Sequence, residues 1–196
     1  GKIVLKRALG HLRGNGPDDG PNSPKTLATP DTPFCQFSAS KAVTAMLIHH
    51  LDQSGKVHLM DPVCRYIPEF AQHGKEGVTL LHVLAHQSGF PRAPSSVDRD
   101  LVFDFDGMVQ MLCSMKPAHR PGHEMAYHAI TGGYILGEVV RRVTGKSVSE
   151  YLQDTLRGPM GWKYFTYGAD DAVVPEIAEN ENTGYPLVFP FTTLTA

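Results

Sequence analysis

A chain of 196 residues with a formal charge of −2 fits one domain, or one domain with an appendage, and shows no charge excess aimed at an anionic partner. Its 18 Lys and Arg and 20 Asp and Glu form no basic run, which argues against nucleic acid and anionic membrane as partners. No run of about 18 uninterrupted apolar residues is present, which excludes a membrane-spanning helix.

In chain order, residues 2–9 alternate loosely and predict an edge or hairpin strand. The chain opens on "GKIVLKRALG", as if inside a strand, with no starting Met and no signal-peptide pattern. A cut at that end is therefore expected, and the compartment stays open with the cytoplasm favoured. Residues 10–33, rich in Gly, Pro, Asn and Asp, predict a long loop. From Ser38 to Gln53 the period turns helical, with Val43, Met46, Leu47, His50 and Leu51 on one face and Gly55 as a stop. Val78–Phe90 predicts a short helix ending near Gly89, and residues 107–115 another. Thr131–Gly145 carries Ile135, Leu136, Val139, Val140 and Val143 at helical spacing. Ser147 and Glu150 then form a capping-box signature before Val148, Tyr151, Leu152 and Leu156. Beyond Met160 the period fades, and "NTGYPLVFPFTTLTA" is predicted as extended, interrupted by Pro186 and Pro190. Cys35, Cys64 and Cys113 are an odd, widely spaced set that fits buried free thiols better than a disulfide framework or a zinc knuckle.

The stretch "FSASKAVTAM" places Lys41 three residues after Ser38 at a helix start, so the two share a face. A serine hydroxyl is a weak nucleophile until a base takes its proton. A lysine can be that base if burial lowers its hold on its own proton, so an enclosed Lys41 is expected. The plain alternative makes Ser38 or Ser40 an N-cap and Lys41 a solvated charge.

With its flanks, the stretch resembles the serine β-lactamase and penicillin-binding-protein superfamily, on its class C and esterase-like side. Phe37–Phe70 resembles the nucleophile helix and the segment after it. "VTLLHVLAHQSGFP" (Val78–Pro91) resembles the family's "hLLtHtSGL" stretch, and Arg120–Trp162 its tyrosine segment and the helices beyond. The likeness spans about residues 1–165, with the segments in the family's order. It implies an α/β structure of the α+β type, with an antiparallel sheet flanked by helices and a helical region. It also implies that residues 1–196 are a single β-lactamase-related domain, truncated at both ends, with an incomplete sheet. By the same resemblance Ser38 is the acylated nucleophile, Lys41 its partner and Tyr127 the proton shuttle, on a small ester or amide substrate, with no cofactor and no metal.

Two departures bear on the substrate and the rate. The family's tyrosine motif is often Tyr-x-Asn, whose Asn hydrogen-bonds an amide substrate; here it reads Tyr127-His128-Ala129. An ester does not need that contact, and an alkoxide leaves more easily than an amine. The expectation is therefore a carboxylesterase acting through an acyl-serine. A β-lactamase or D-alanyl-D-alanine carboxypeptidase is the alternative within the class, and a non-catalytic scaffold of the same fold the alternative outside it. The family's third motif, a Lys-Thr-Gly or His-x-Gly strand, is not recognisable after residue 165. Its backbone supplies one of two oxyanion N–H groups, Ser38 the other, and one such donor is worth roughly 10²–10³ in rate. Weak or absent turnover by this chain is the expectation.

Other groupings carry less. His82 and His86 have zincin spacing, but Val83 stands where the Glu should be, so helix packing or capping is expected. His119, His123 and His128 lack Cys or carboxylate partners at ligand spacing, although His128, next to Tyr127, is a candidate for the mouth of the site. One of His49 and His50 is expected to be satisfied at the core side of its helix. "HQSGF" around Ser88 lacks the first Gly of a nucleophile elbow, and Gly132-Gly133 follows no strand as a dinucleotide loop requires.

Overall fold

Helix α1 (Ser40–Gln53) buries Thr44, Leu47, Ile48 and Leu51, the i, i+3, i+4, i+7 positions of one helical face. The face is turned from the one the sequence predicts: Met46 and His50 are exposed and Ile48 is buried. The structure is a computed structural model describing residues 1–94 and 98–181. The predicted extended stretch at 182–196 lies outside the described residues.

The later helices follow their sequence signals. Helix α3 (Phe105–Ser114) starts at Asp104, whose carboxylate accepts the Gly107 N–H at 3.0 Å. Its far end is closed by buried Lys75, whose ammonium donates to the Cys113 carbonyl at 2.8 Å and to that of Met115. A cation suits a helix C-terminus, where carbonyls are left without partners. Helix α4 (Thr131–Thr144) buries Ile135, Leu136, Val139 and Val140 and ends at Gly145, which is left-handed at φ +72. The predicted capping box is present. Ser147 Oγ accepts the Glu150 N–H at 3.2 Å, and Glu150 Oε2 accepts the Ser147 N–H at 2.8 Å. It opens α5 (Val148–Leu152), which runs through a π turn at Gln153–Arg157 into α6 (Gly158–Met160). On α4, buried Glu138 accepts from Arg141 and Arg142 at 2.6 Å each, and those arginines reach on to Asp106 and Glu69.

Helix α2 (Leu80–Leu84) is shorter than predicted. Thr79 and His82 cap its start, and His86 turns left-handed at φ +59 to end it. The backbone carbonyls of His86, Gln87, Gly89 and Phe90 accept instead from the distant segment 118–131.

These helices belong to one compact unit, residues 37–167, with a core that includes Leu47, Leu51, Phe70, Phe90, Met108, Leu112, Ile135 and Val139. Residues 1–36, with the described residues from 168 onward, form the other unit. There β1 (His11–Arg13) pairs antiparallel with β2 (Thr26–Leu27), matching His11 to Leu27 and Arg13 to Thr26. Glu179 N–H donates to the Leu12 carbonyl at 2.9 Å. The strand predicted at 2–9 is not formed, and the pairing falls inside the predicted loop. Among the described residues no strand lies beside 2–9, so its alternation has no ladder to join. All three cysteines are free, but only Cys113 is buried, and Cys35 is exposed.

Candidate active site

Ser38 lies in a 3₁₀ turn, Phe37–Ala39, that leads directly into α1. The turn begins with Phe37 at φ +43, a left-handed conformation rare for an aromatic residue. Ser40 donates its hydroxyl back to the Phe37 carbonyl at 2.6 Å, which stabilises the turn. No side chain caps the start of α1, so neither Ser38 nor Ser40 is the N-cap. Lys41 stands one turn further along, and its Nζ donates to Ser38 Oγ at 3.2 Å.

Tyr127 comes from 89 residues away, and its hydroxyl donates to Ser38 Oγ at 2.6 Å. Lys41 Nζ lies 5.0 Å from the centre of the Tyr127 ring. The structure thus brings Ser38, Lys41 and Tyr127 to one oxygen.

The segment carrying Tyr127 is tied down along residues 86–90. Ala118 N–H donates to the Gly89 carbonyl at 2.6 Å, Gly122 N–H to that of Gln87 at 2.8 Å, and Ala126 N–H to that of His86 at 2.9 Å. His128 N–H donates to His86 Nδ1 at 3.1 Å, and Thr131 Oγ1 to the Phe90 carbonyl at 2.8 Å. Residues 86–90 act as a rail, and the stretch predicted as the end of a helix is the support for Tyr127.

The charges are arranged asymmetrically. The Lys41 ammonium first, then the Ser38 hydroxyl, hold the Tyr127 phenol below its ordinary value. A cation beside a phenol favours the phenolate, the form able to take a proton from serine. Lys41 itself is half-buried rather than enclosed, and Tyr127 is 55% exposed, so the site is open. Burial, then the Lys41 charge, lowers His86.

Neighbouring groups have other places. His128 does not line the mouth: it is buried, its Nε2 is 2.6 Å from Ser88 Oγ, and burial depresses it to about 4. Ser88 is buried beneath it, out of reach of a substrate. His82 completes the cap of α2 while His86 has left the helix, so the two imidazoles do not share a helical face. His123 is exposed, whereas both ring nitrogens of His119 are buried without a hydrogen-bond partner. His50 meets the Tyr151 hydroxyl at 2.7 Å. Ala129 is exposed and brings no polar side chain beside the site. Among the described residues no group of three or more His, Cys, Asp or Glu is placed to hold a metal ion.

Known proteins resemble this chain in sequence and in fold. The Beta-lactamase family profile matches residues 1–189. The esterase/β-lactamase LipL of Mycobacterium tuberculosis is 32% identical over 139 residues, covering 71% of this chain and 32% of LipL. A penicillin-binding-protein homologue from Caulobacter crescentus superposes with a TM-score of 0.76 at 34% identity, covering 79% of this chain and 41% of that one. A family VIII carboxylesterase superposes at 0.75 with 31% identity, covering 79% and 42%. The chain therefore spans about a third of LipL and about two fifths of these solved chains. The fold is β-lactamase/transpeptidase-like, of the α+β type. With the family profile extending over nearly all its residues, the chain belongs to the Beta-lactamase family.

Proposed function

We propose that the protein is a carboxylesterase that cleaves small esters through an acyl-serine. The observation carrying this reading is the convergence of Tyr127 at 2.6 Å and Lys41 at 3.2 Å on Ser38 Oγ. Ser38 Oγ attacks the ester carbonyl carbon as its proton passes to the Tyr127–Lys41 pair. The tetrahedral intermediate collapses, the C–O bond to the alcohol breaks, and the pair returns the proton to the departing alkoxide. Water then attacks the acyl-serine, with the same pair accepting its proton and giving one back to Ser38. Positioned proton transfer of this kind contributes about 10²–10⁴-fold. Ala129 supports an ester over an amide, because it leaves an amide's polar edge without a side-chain partner.

The test is intact-protein mass spectrometry after incubation with a fluorophosphonate, comparing wild type with Ser38→Ala and Lys41→Ala. One adduct on wild type, lost in Ser38→Ala and slowed in Lys41→Ala, is the expected result. A folded chain that takes no adduct overturns the reading. A chromogenic cephalosporin cleaved as fast as a short-chain ester overturns the ester preference.

A further inference from the structure

We infer that His86 is a positioning residue: its ring, held as the neutral tautomer with the proton on Nε2, fixes Tyr127 against Ser38. The inference rests on the proposed role of Tyr127 and adds the residue that places it.

Three contacts carry it, and they bracket Tyr127. The residue before it, Ala126, donates its N–H to the His86 carbonyl at 2.9 Å. The residue after it, His128, donates its N–H to His86 Nδ1 at 3.1 Å. The Tyr127 ring meets the His86 ring edge-on with centroids 4.9 Å apart. One residue therefore holds the backbone on both sides of Tyr127 and packs against its side chain.

The tautomer follows from the donor. A backbone N–H can only donate, so Nδ1 must carry a lone pair and the ring proton sits on Nε2. The left-handed backbone of His86, at φ +59, is what lets one residue make both bonds. It takes the chain out of α2 so that carbonyl and ring face the Tyr127 segment together. Such a conformation is uncommon for a residue other than glycine and persists only where its surroundings enforce it. The titratable groups around the ring are Lys41 from α1 and Tyr127 and His128 from the segment before α4. None of them is a carboxylate that would favour an imidazolium.

The experiment uses the full chain as wild type, His86→Gly and His86→Asn. Glycine accepts the left-handed backbone but removes the ring. Asparagine also tolerates that backbone, and its Oδ1 offers an acceptor near the place of Nδ1. Two quantities are read: the fluorophosphonate labelling rate of Ser38, and hydrogen-exchange protection of the His128 amide. Protection of the Leu47 amide in α1 serves as the check that the fold is intact. In His86→Gly, labelling is expected to fall at least tenfold and His128 to lose its protection while Leu47 keeps its own. In His86→Asn both are expected to return, labelling to within about threefold of wild type. Wild-type labelling in a folded His86→Gly chain overturns the inference. So does His128 protection restored by Asn without a restored labelling rate. If wild type takes no label, the proposed function falls, and exchange alone then judges the clasp: protection lost in Gly and regained in Asn supports it, and protection unchanged in Gly overturns it.

Discussion

The Tyr127 hydroxyl is a small group with a large expected effect. Tyr127→Phe keeps the ring against His86 and removes only the oxygen 2.6 Å from Ser38 Oγ. Labelling of Ser38 is expected to slow by about 10²–10⁴-fold. Thermal stability should hardly change, because an exposed substitution is usually worth less than about 0.5 kcal/mol. A comparable loss of rate and of melting temperature would instead make Tyr127 a structural residue. The neighbouring His128 has the opposite balance. Folded, it is depressed to about 4 from 6.5, because protonation would put a charge in the core. Between those two values the unfolded chain binds a proton that the folded chain refuses. Stability from His128 is thus complete above pH 6.5, is lost as pH falls, and levels off below about pH 4. The full loss is on the order of 3 kcal/mol. Urea unfolding at several pH values should show this slope in wild type and a shallower one in His128→Gln; parallel slopes would reject it.

At the scale of elements, two left-handed glycines separate backbone strain from close packing. Gly145 ends α4 at φ +72, and an added Cβ there would meet nothing within 4 Å. Gly145→Ala should therefore cost only the backbone term, about 1 kcal/mol. Gly89 is at φ +86, and its Cβ would lie 2.6 Å from the His119 carbonyl oxygen and 2.9 Å from Pro117 Cβ. Gly89→Ala is expected to cost about 2–4 kcal/mol and to slow Ser38 labelling, because the rail and the Tyr127 segment must part. Denaturant midpoints and labelling rates for the pair decide this; equal costs would contradict it. The same elements show what local sequence could reveal. Helix α4, its glycine end and the Ser147–Glu150 capping box are local devices, legible because every partner lies within a turn. Periodicity alone puts Met46 and His50 on the inner face of α1, because Val43, Met46, Leu47, Ile48 and Leu51 fit two overlapping apolar stripes and only the packing against other segments selects the one with Ile48. The true end of α2 is hidden for a related reason: His86 leaves the helix to bond Ala126 and His128, some 40 residues away.

For the whole molecule, turnover is the measurement that matters. The described residues carry a two-stranded antiparallel sheet, and no third-motif strand is recognisable in the sequence after residue 165. One oxyanion donor fewer is worth roughly 10²–10³ in rate. We therefore expect these 196 residues to turn over a short-chain ester slowly, even where Ser38 accepts a fluorophosphonate. Rapid steady-state hydrolysis, lost in Ser38→Ala, would mean that the oxyanion is stabilised without that strand.

By itself the sequence determined the family, the helix order and the candidate Ser38, Lys41 and Tyr127, because those signals are short patterns in a set order. Only the tertiary structure decided which groups meet. Tyr127 reaches Ser38 because the chain folds back over the rail at 86–90, and His128, its immediate neighbour, turns into the core toward Ser88 instead of the site. His86 gained its place in the same way. A positive φ and a lone pair aimed at a distant N–H leave no mark in a local pattern, since both are set by contacts between segments far apart in the chain.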